Sequence, residues 1–425
     1  MAEDIGWRKY AGRFRTFPSL VHLPSDPEVR MIVCIPVCAE PDIVSTLESL
    51  FHAHSSDIRV EIIVLYNINS LMSAMEINLH QESWIDCAKW ISQHVKEGLQ
   101  FLPVYVNELP DPKGGVGWAR KIAMDEAARR LEPDGIIVCL DADCTVDLNY
   151  FDAIEQHFHN YKTHDAVSIF YEHKVDHLDI ANREAIVLYE LHLRYLINAQ
   201  QWCGHPFAYS TVGSAMAVRR KSYLDQGGMN TRRAGEDFYF LQKFIEIGTH
   251  GEIRDTTVYP SSRISLRVPF GTGRAMQQML KDGEDWLTTD FRIFNQIKPL
   301  FHSLDKLRDI SLREVQPDNY QRLQTELDIS SDLIEYLQQS EFLEECHSIA
   351  NQTASYSTFR RRFFRYFNSF RMIKYMHYMS DHHYPEVPVV NAAGKLAAEM
   401  KWPAALSLSM DQYLRMFRHH DRQKR

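Results

Sequence analysis

Apolar residues in this chain gather in short unbroken runs, and most runs are followed by a helical pattern. Val29 to Val37, Arg59 to Tyr66, Gln100 to Val106, Ile136 to Leu140 and Ala166 to Tyr171 read as strands, several of them buried on both faces as in parallel sheets. Between them lie helical segments. Pro41 suits a first turn, after which Ile43, Leu47, Leu50 and Phe51 share one face. Residues 76 to 98 carry Trp84, Trp90, Ile91 and Val95; another helix opens after a glycine-rich loop at 111 to 120, and a third covers Tyr150 to Asn160. Strands alternating with helices predict an α/β fold, a Rossmann-like, mostly parallel sheet with helices on both faces and right-handed crossovers.

Residues 179 to 200 follow as an amphipathic helix, then a strand of small residues from Tyr209 to Val218, a helix from Glu236 with Phe238, Leu241, Phe244 and Ile245, and a strand over Gly251 to Tyr259. From about Gln277 helix formers dominate and glycine becomes rare. The expected division is an arm over 1–28, an α/β domain over 29–275 and a mainly helical region over 276–425.

Composition narrows the class. At 425 residues, with 45% hydrophobic and 24% charged residues, the chain is ordinary globular material. Acidic residues outnumber basic ones 56 to 47, which argues against a nucleic-acid binder. No run approaches the ~20 apolar residues that cross a bilayer, and Met1 to Tyr10 lacks a signal-peptide core, so a cytoplasmic protein is expected. The seven cysteines form no Cys-x-x-Cys pair and read as reduced core thiols.

Charge along the chain adds one local feature. Between Arg360 and Arg425 thirteen Lys or Arg face five Asp or Glu, and Phe359, Phe363, Phe364 and Phe367 interleave with Arg360, Arg361, Arg362 and Arg365. Two readings stand: peripheral contact with the inner face of a membrane through 359–425, or a core helix whose arginines reach solvent.

Candidate chemistry centres on Gly135 to Thr145. The buried run Ile136 to Leu140 meets Asp141 and Asp143, two carboxylates at a strand's carboxyl end, where ligands bind in open α/β sheets. They fit either a polar turn or a shared cation. In the glycine-rich loop, Gly115 would let backbone N–H groups approach an anion, with Lys113 or Arg120 offsetting its charge. Glu236 and Asp237 open a helix, and Arg263, Arg267 and Arg274 punctuate a loop without period, suited to folding over an anionic ligand.

In their order these stations resemble the GT-A glycosyltransferases, the family 2-like group, over roughly Arg30 to Arg274. Ile35-Pro36-Val37-Cys38-Ala39-Glu40 resembles the family's opening Pro-Val-Tyr-Asn-Glu turn, Asp141-Ala142-Asp143 its Asp-x-Asp motif, and Gly235-Glu236-Asp237 its later Glu-Asp motif. The run into Trp118-Ala119-Arg120 resembles its donor-binding segment. The resemblance implies that Asp143, with Asp141, holds Mg²⁺ or Mn²⁺, that Asp141 also contacts the donor's ribose or a metal-bound water, and that Pro36, Val37, Glu40, Asn67, Asn69, Gly115, Arg120, Ala142, Arg263 and Arg267 line the donor site. Asp237, beside Glu236, would be the general base for an inverting transfer from a UDP-, GDP- or dTDP-linked sugar to a glycan or lipid-linked acceptor. Asn67 and Asn69 stand where the family often has an aspartate, and no Gln-x-x-Arg-Trp sequence is present, which favours single addition over polymerisation.

Two other readings remain. Asp141-Ala142-Asp143-Cys144-Thr145 satisfies the Asp-x-Asp-x-Thr nucleophile motif of haloacid-dehalogenase-like phosphatases, with Asp141 forming a phosphoenzyme. A non-catalytic scaffold of the same fold is the second.

Overall fold

A computed structural model describes residues 5–55, 57–107, 109–111, 114–263, 286–313, 319–403 and 408–424. Its elements follow in the order α1 (Ile5–Ala11), β1 (Met31–Val37), α2 (Ile43–Ala53), β2 (Val60–Asn67), α3 (Ala74–Gln93), β3 (Leu99–Val106), α4 (Val116–Arg130), β4 (Ile136–Cys139), β5 (Thr145–Val146) and α5 (Tyr150–Asn160). Then come β6 (Ala166–Tyr171), α6 (Ile180–Trp202), β7 (Met216–Arg219), α7 (Arg220–Asp225), α8 (Glu236–Ile245) and β8 (His250–Tyr259). The chain divides into two compact units, one of residues 1–177, 210–275 and 422–425, the other of 178–209 and 276–421.

The first unit is built on an eight-stranded sheet in the order β3-β2-β1-β4-β7-β6-β8-β5. β1 pairs in parallel with β2 and β4, β2 with β3, and β6 with β8, whereas β7 is antiparallel to both β4 and β6 and β5 is antiparallel to β8. Six strands therefore run one way, and β5 and β7 run the other. The buried runs behave as double-sided strands do: every residue of β2, β4 and β6 is buried.

After β1 the chain moves outward through β2 and β3 and then returns to place β4 on the other side of β1. Such a reversal leaves a crevice at the carboxyl ends of the two strands, between loops that diverge. Residues 38–42 and 140–144 occupy those ends.

α4 explains an oddity of its sequence. Eleven of its residues are buried, including Arg120, Lys121, Asp125 and Glu126, so no polar face survives. The arm before β1 and α7 supply the partners: Tyr10 Oη donates to Asp125 Oδ1 at 2.7 Å, Lys121 Nζ donates to Tyr10 Oη at 2.6 Å, and Tyr223 Oη of α7 donates to Asp125 Oδ1 at 2.6 Å. Arg129 and Arg130 donate to the carbonyls of Phe17 and Leu23 at 2.8 and 2.7 Å. Arg130 also grips Glu61, buried on β2, at 2.6 and 2.7 Å. Buried charges survive only when matched in this way.

Local boundaries differ from expectation in three places. α3 begins at Ala74 because Ser73 and Glu76 form a reciprocal capping box, and it ends at Gln93. Pro41 precedes the Asp42 cap of α2 instead of entering its first turn. The small-residue stretch from Tyr209 contributes only Met216–Arg219 to the sheet, as an antiparallel strand.

In the second unit α6 is followed by β9 (Leu287–Thr288), α9 (Phe291–His302), α10 (Leu304–Ser311), α11 (Asn319–Leu327), α12 (Ser331–Gln338), α13 (Phe342–Asn351), α14 (Tyr356–Tyr366), α15 (Ser369–His382), β10 (Val387–Pro388), α16 (Val389–Glu399) and α17 (Met410–Gln423). Phe359, Phe363, Phe364 and Phe367 are buried in its common core with Leu191, Tyr195 and Phe294. Arg360, Arg361, Arg362 and Arg365 are exposed on the opposite side of α14. The aromatics are thus used internally, and only the arginine side of α14 faces outward. No helix among the described residues is long and apolar enough to cross a membrane. The seven cysteines are free thiols, six of them buried.

Candidate active site

β4 delivers Asp141 to the carboxyl edge of the sheet, and α4 aims Arg120 at it. The Arg120 side chain is only 2% exposed; Nη2 donates to Asp141 Oδ1 at 2.5 Å and Nη1 donates to Glu236 Oε1. Burial disfavours the charged guanidinium, but Asp141 and Glu236 more than offset it and hold Arg120 protonated. Among the described residues its Nε has no acceptor.

Gly213 makes this possible. A Cβ there would stand 2.5 Å from Arg120 Nη1 and 2.8 Å from Cζ, so the small-residue stretch makes room for an arginine. The same glycine's N–H donates to Asp237 Oδ2 at 2.8 Å.

α8 starts at Glu236, behind Gly235 in the left-handed conformation at φ 68°. Negative charge is favoured at a helix N-terminus, and Asp237 Oδ1 also accepts the N–H of Phe238 at 2.7 Å. Burial raises the Asp237 pKa against the pull of Arg120 and these two N–H groups, and the net direction is upward. Glu236 is likewise raised by burial, with Arg120 opposing. One of the pair is thus bound to a cation, and the other is held by two backbone donors.

At the end of β1, Ala39 adopts φ 48°, a conformation a residue with a Cβ seldom takes. Its N–H donates to Nδ1 of buried His80 at 3.1 Å. Glu40, 2% exposed, accepts Asp42 N at 3.0 Å and is gripped by Arg263 Nη2 at 2.7 and 2.6 Å. Arg263 also feels the charge of Asp143. Thr46 Oγ1 ties α2 to the aspartate loop by donating to the Ala142 carbonyl at 2.8 Å.

The remaining expected residues are placed less centrally. Pro36 and Val37 close β1. Asn67 ends β2 buried, and Asn69 turns its Oδ1 back onto Leu71 N at 2.9 Å. The glycine-rich turn serves the chain itself: a Cβ on Gly115 would meet the Arg233 carbonyl at 3.1 Å, and one on Gly117 would overlap Arg232 backbone. The Cβ side of the turn is thus packed against the backbone of 232–233. Lys113, Arg267 and Arg274 lie outside the described residues.

To a divalent cation this edge would offer two carboxylates, Asp141 and Asp143; among the described residues no group of three or more His, Cys, Asp or Glu is arranged to hold a metal ion. Mg²⁺ is usually held by one or two carboxylates together with water and substrate phosphate, so this pair fits the protein's share of such a site. Sequence reasoning missed His80, Thr46, Gly213, Arg232 and Arg233. Only Gly213 left a signal, as part of the small-residue stretch.

No protein-family model matches the chain, and no curated protein matches it. Among solved structures it is similar to S. aureus TarS 1-349 in complex with UDP, at 14% identity over 76% of this chain and 90% of that one, TM-score 0.37. The same TarS segment in complex with UDP-GlcNAc gives 13% identity, 78% and 90% coverage and TM-score 0.38. Glucosyl-3-phosphoglycerate synthase from Mycobacterium tuberculosis, in complex with phosphoglyceric acid, gives 16% identity, 53% and 70% coverage and TM-score 0.33.

Proposed function

We propose that this protein is an inverting GT-A-type glycosyltransferase that moves a sugar from a nucleoside-diphosphate donor to an acceptor hydroxyl. One observation carries the reading: Arg120 joins Asp141 to Glu236 at the carboxyl edge of the sheet, so three stretches remote in sequence meet where an α/β fold binds ligands. The donor would lie in the crevice between residues 38–42 and 140–144, with Asn67 and Asn69 toward the base of a UDP-, GDP- or dTDP-linked sugar.

Asp143 and Asp141 would hold Mg²⁺ or Mn²⁺, which neutralises the charge of a diphosphate leaving group when bound. Asp237 would take the acceptor's proton; its raised pKa brings it nearer neutrality, where a general base is most effective. Glu236, neutralised by Arg120, would act as a support and leave the proton to its neighbour. A glycan or lipid-linked hydroxyl is the proposed acceptor class. A phosphatase nucleophile at Asp141 is disfavoured by its pairing with Arg120 and by the three strands that precede β4.

The test is a calorimetric screen of UDP-, GDP- and dTDP-sugars with and without Mn²⁺ on the parent protein and on Asp143→Ala. Metal-dependent binding that Asp143→Ala loses is expected. Absence of binding by the parent, or unchanged metal dependence in the variant, overturns the assignment.

A further inference from the structure

His80 lies on α3, has no exposed surface, and belongs to none of the motifs that mark the site. Its Nδ1 accepts the N–H of Ala39 at 3.1 Å, and that acceptance places its proton on Nε2. Around it stand the rings of Tyr66 and Tyr105, with centroids 5.1 and 5.4 Å away. Burial lowers its pKa to about 4, so the ring is neutral and Nδ1 remains an acceptor at physiological pH.

The donor sits at a strained point. Ala39 holds φ 48°, and the left-handed conformation is unfavourable for any residue with a Cβ unless its surroundings impose it. Immediately after it Glu40 folds back to the N–H of Asp42 and binds Arg263. A relaxed Ala39 would swing Glu40 out of that arrangement, because one φ change redirects everything that follows it.

We propose that His80 is a positioning residue for nucleotide binding: its Nδ1 anchors the Cys38–Ala39 amide from which left-handed Ala39 turns, and thereby presets the 38–42 turn that forms one wall of the donor crevice. This rests on the donor reading above. The role requires an acceptor at Nδ1, whereas a purely packing role requires the ring.

That difference supplies the test. Asn carries its Oδ1 as many bonds from Cα as histidine carries Nδ1, and Phe keeps a ring without an acceptor. UDP, GDP and dTDP are titrated with Mn²⁺ into the full-length parent, His80→Asn, His80→Phe, Ala39→Gly and the Ala39→Gly, His80→Phe pair, each with its melting temperature. For the nucleotide that the parent binds, His80→Phe is expected to weaken affinity by about tenfold and His80→Asn by less than about threefold. Glycine accepts positive φ without penalty, so the loss caused by His80→Phe should shrink to within about threefold in the Ala39→Gly background. If the parent binds none of the three, the donor reading falls and this role with it. If the parent binds and His80→Phe binds equally well, or His80→Asn is the weaker of the two, the positioning role alone is overturned.

Discussion

Arg120 and Glu236 are 116 positions apart in the chain and form an ion pair in which both side chains are almost fully buried. Two charges withdrawn from water depend on each other, since removing either leaves the other without compensation. Arg120→Met is therefore expected to destabilise the protein by about 3 to 5 kcal/mol. Urea unfolding of Arg120→Met, Glu236→Gln and the pair checks this; the pair should be markedly less destabilised than the sum of the single variants.

Asp237 carries the opposite balance of stability and activity. Its pKa is raised by burial, so its charged form costs the fold stability above that pKa, and the cost disappears as pH falls through it. Asp237→Asn should melt at a higher temperature than the parent at pH 7 while losing about 10² to 10⁴ in transfer rate with nucleotide binding kept. In the parent, the acid limb of the pH–rate profile should lie above the ordinary aspartate range.

Gly213→Ala tests the space around the guanidinium. Its Cβ would stand 2.5 Å from Arg120 Nη1, and Arg120 has no room to retreat from two carboxylates. An overpacking cost of about 1 to 3 kcal/mol is expected, with transfer impaired because the same backbone N–H holds Asp237. Equilibrium unfolding and a turnover assay on one preparation separate the two effects.

Three neighbouring histidines contribute, with buried His80 and His54, to an acid limit in the first unit. His157 Nε2 and His164 Nδ1 are 3.0 Å apart, and burial with mutual repulsion lowers His157 from 6.5 to about 4; burial, followed by the fields of His164 and His157, takes His250 to about 3. Arg219 opposes protonation of His157 and His164, and Asp165 favours it at His164. Below pH 6.5 the unfolded chain binds protons that the folded one refuses, so stability should fall as pH drops from about 6.5 toward 4, by on the order of 1 to 3 kcal/mol. The fall in melting temperature across that range should be shallower in His157→Gln than in the parent, with the remaining histidines keeping part of it.

Particular residues show where legibility stopped. The uninterrupted run Ile136 to Leu140 could be read because a strand buried on both faces leaves no polar position in its own sequence. α4 was harder, since its buried charges are satisfied by Tyr10, Phe17 and Leu23 in an arm remote from it. Arg263 read as a cation for a ligand; in the fold it grips Glu40, a partner 223 positions away. The Cβ sides of Gly115 and Gly117 face the backbone of Arg233 and Arg232, a neighbour that the glycine-rich loop's own sequence does not reveal.

By itself the sequence determined the alternation of buried strands and helices and the delivery of Asp141 and Glu236-Asp237 to strand and helix ends, because periodicity and capping are local. The tertiary structure alone decided which of these groups meet. The reversal of strand order between β1 and β4 brings their carboxyl ends together, Gly213 admits Arg120 between Asp141 and Glu236, and His80 accepts the Ala39 N–H. Those relations join residues far apart in the chain, and local spacing carries no record of a partner on another element.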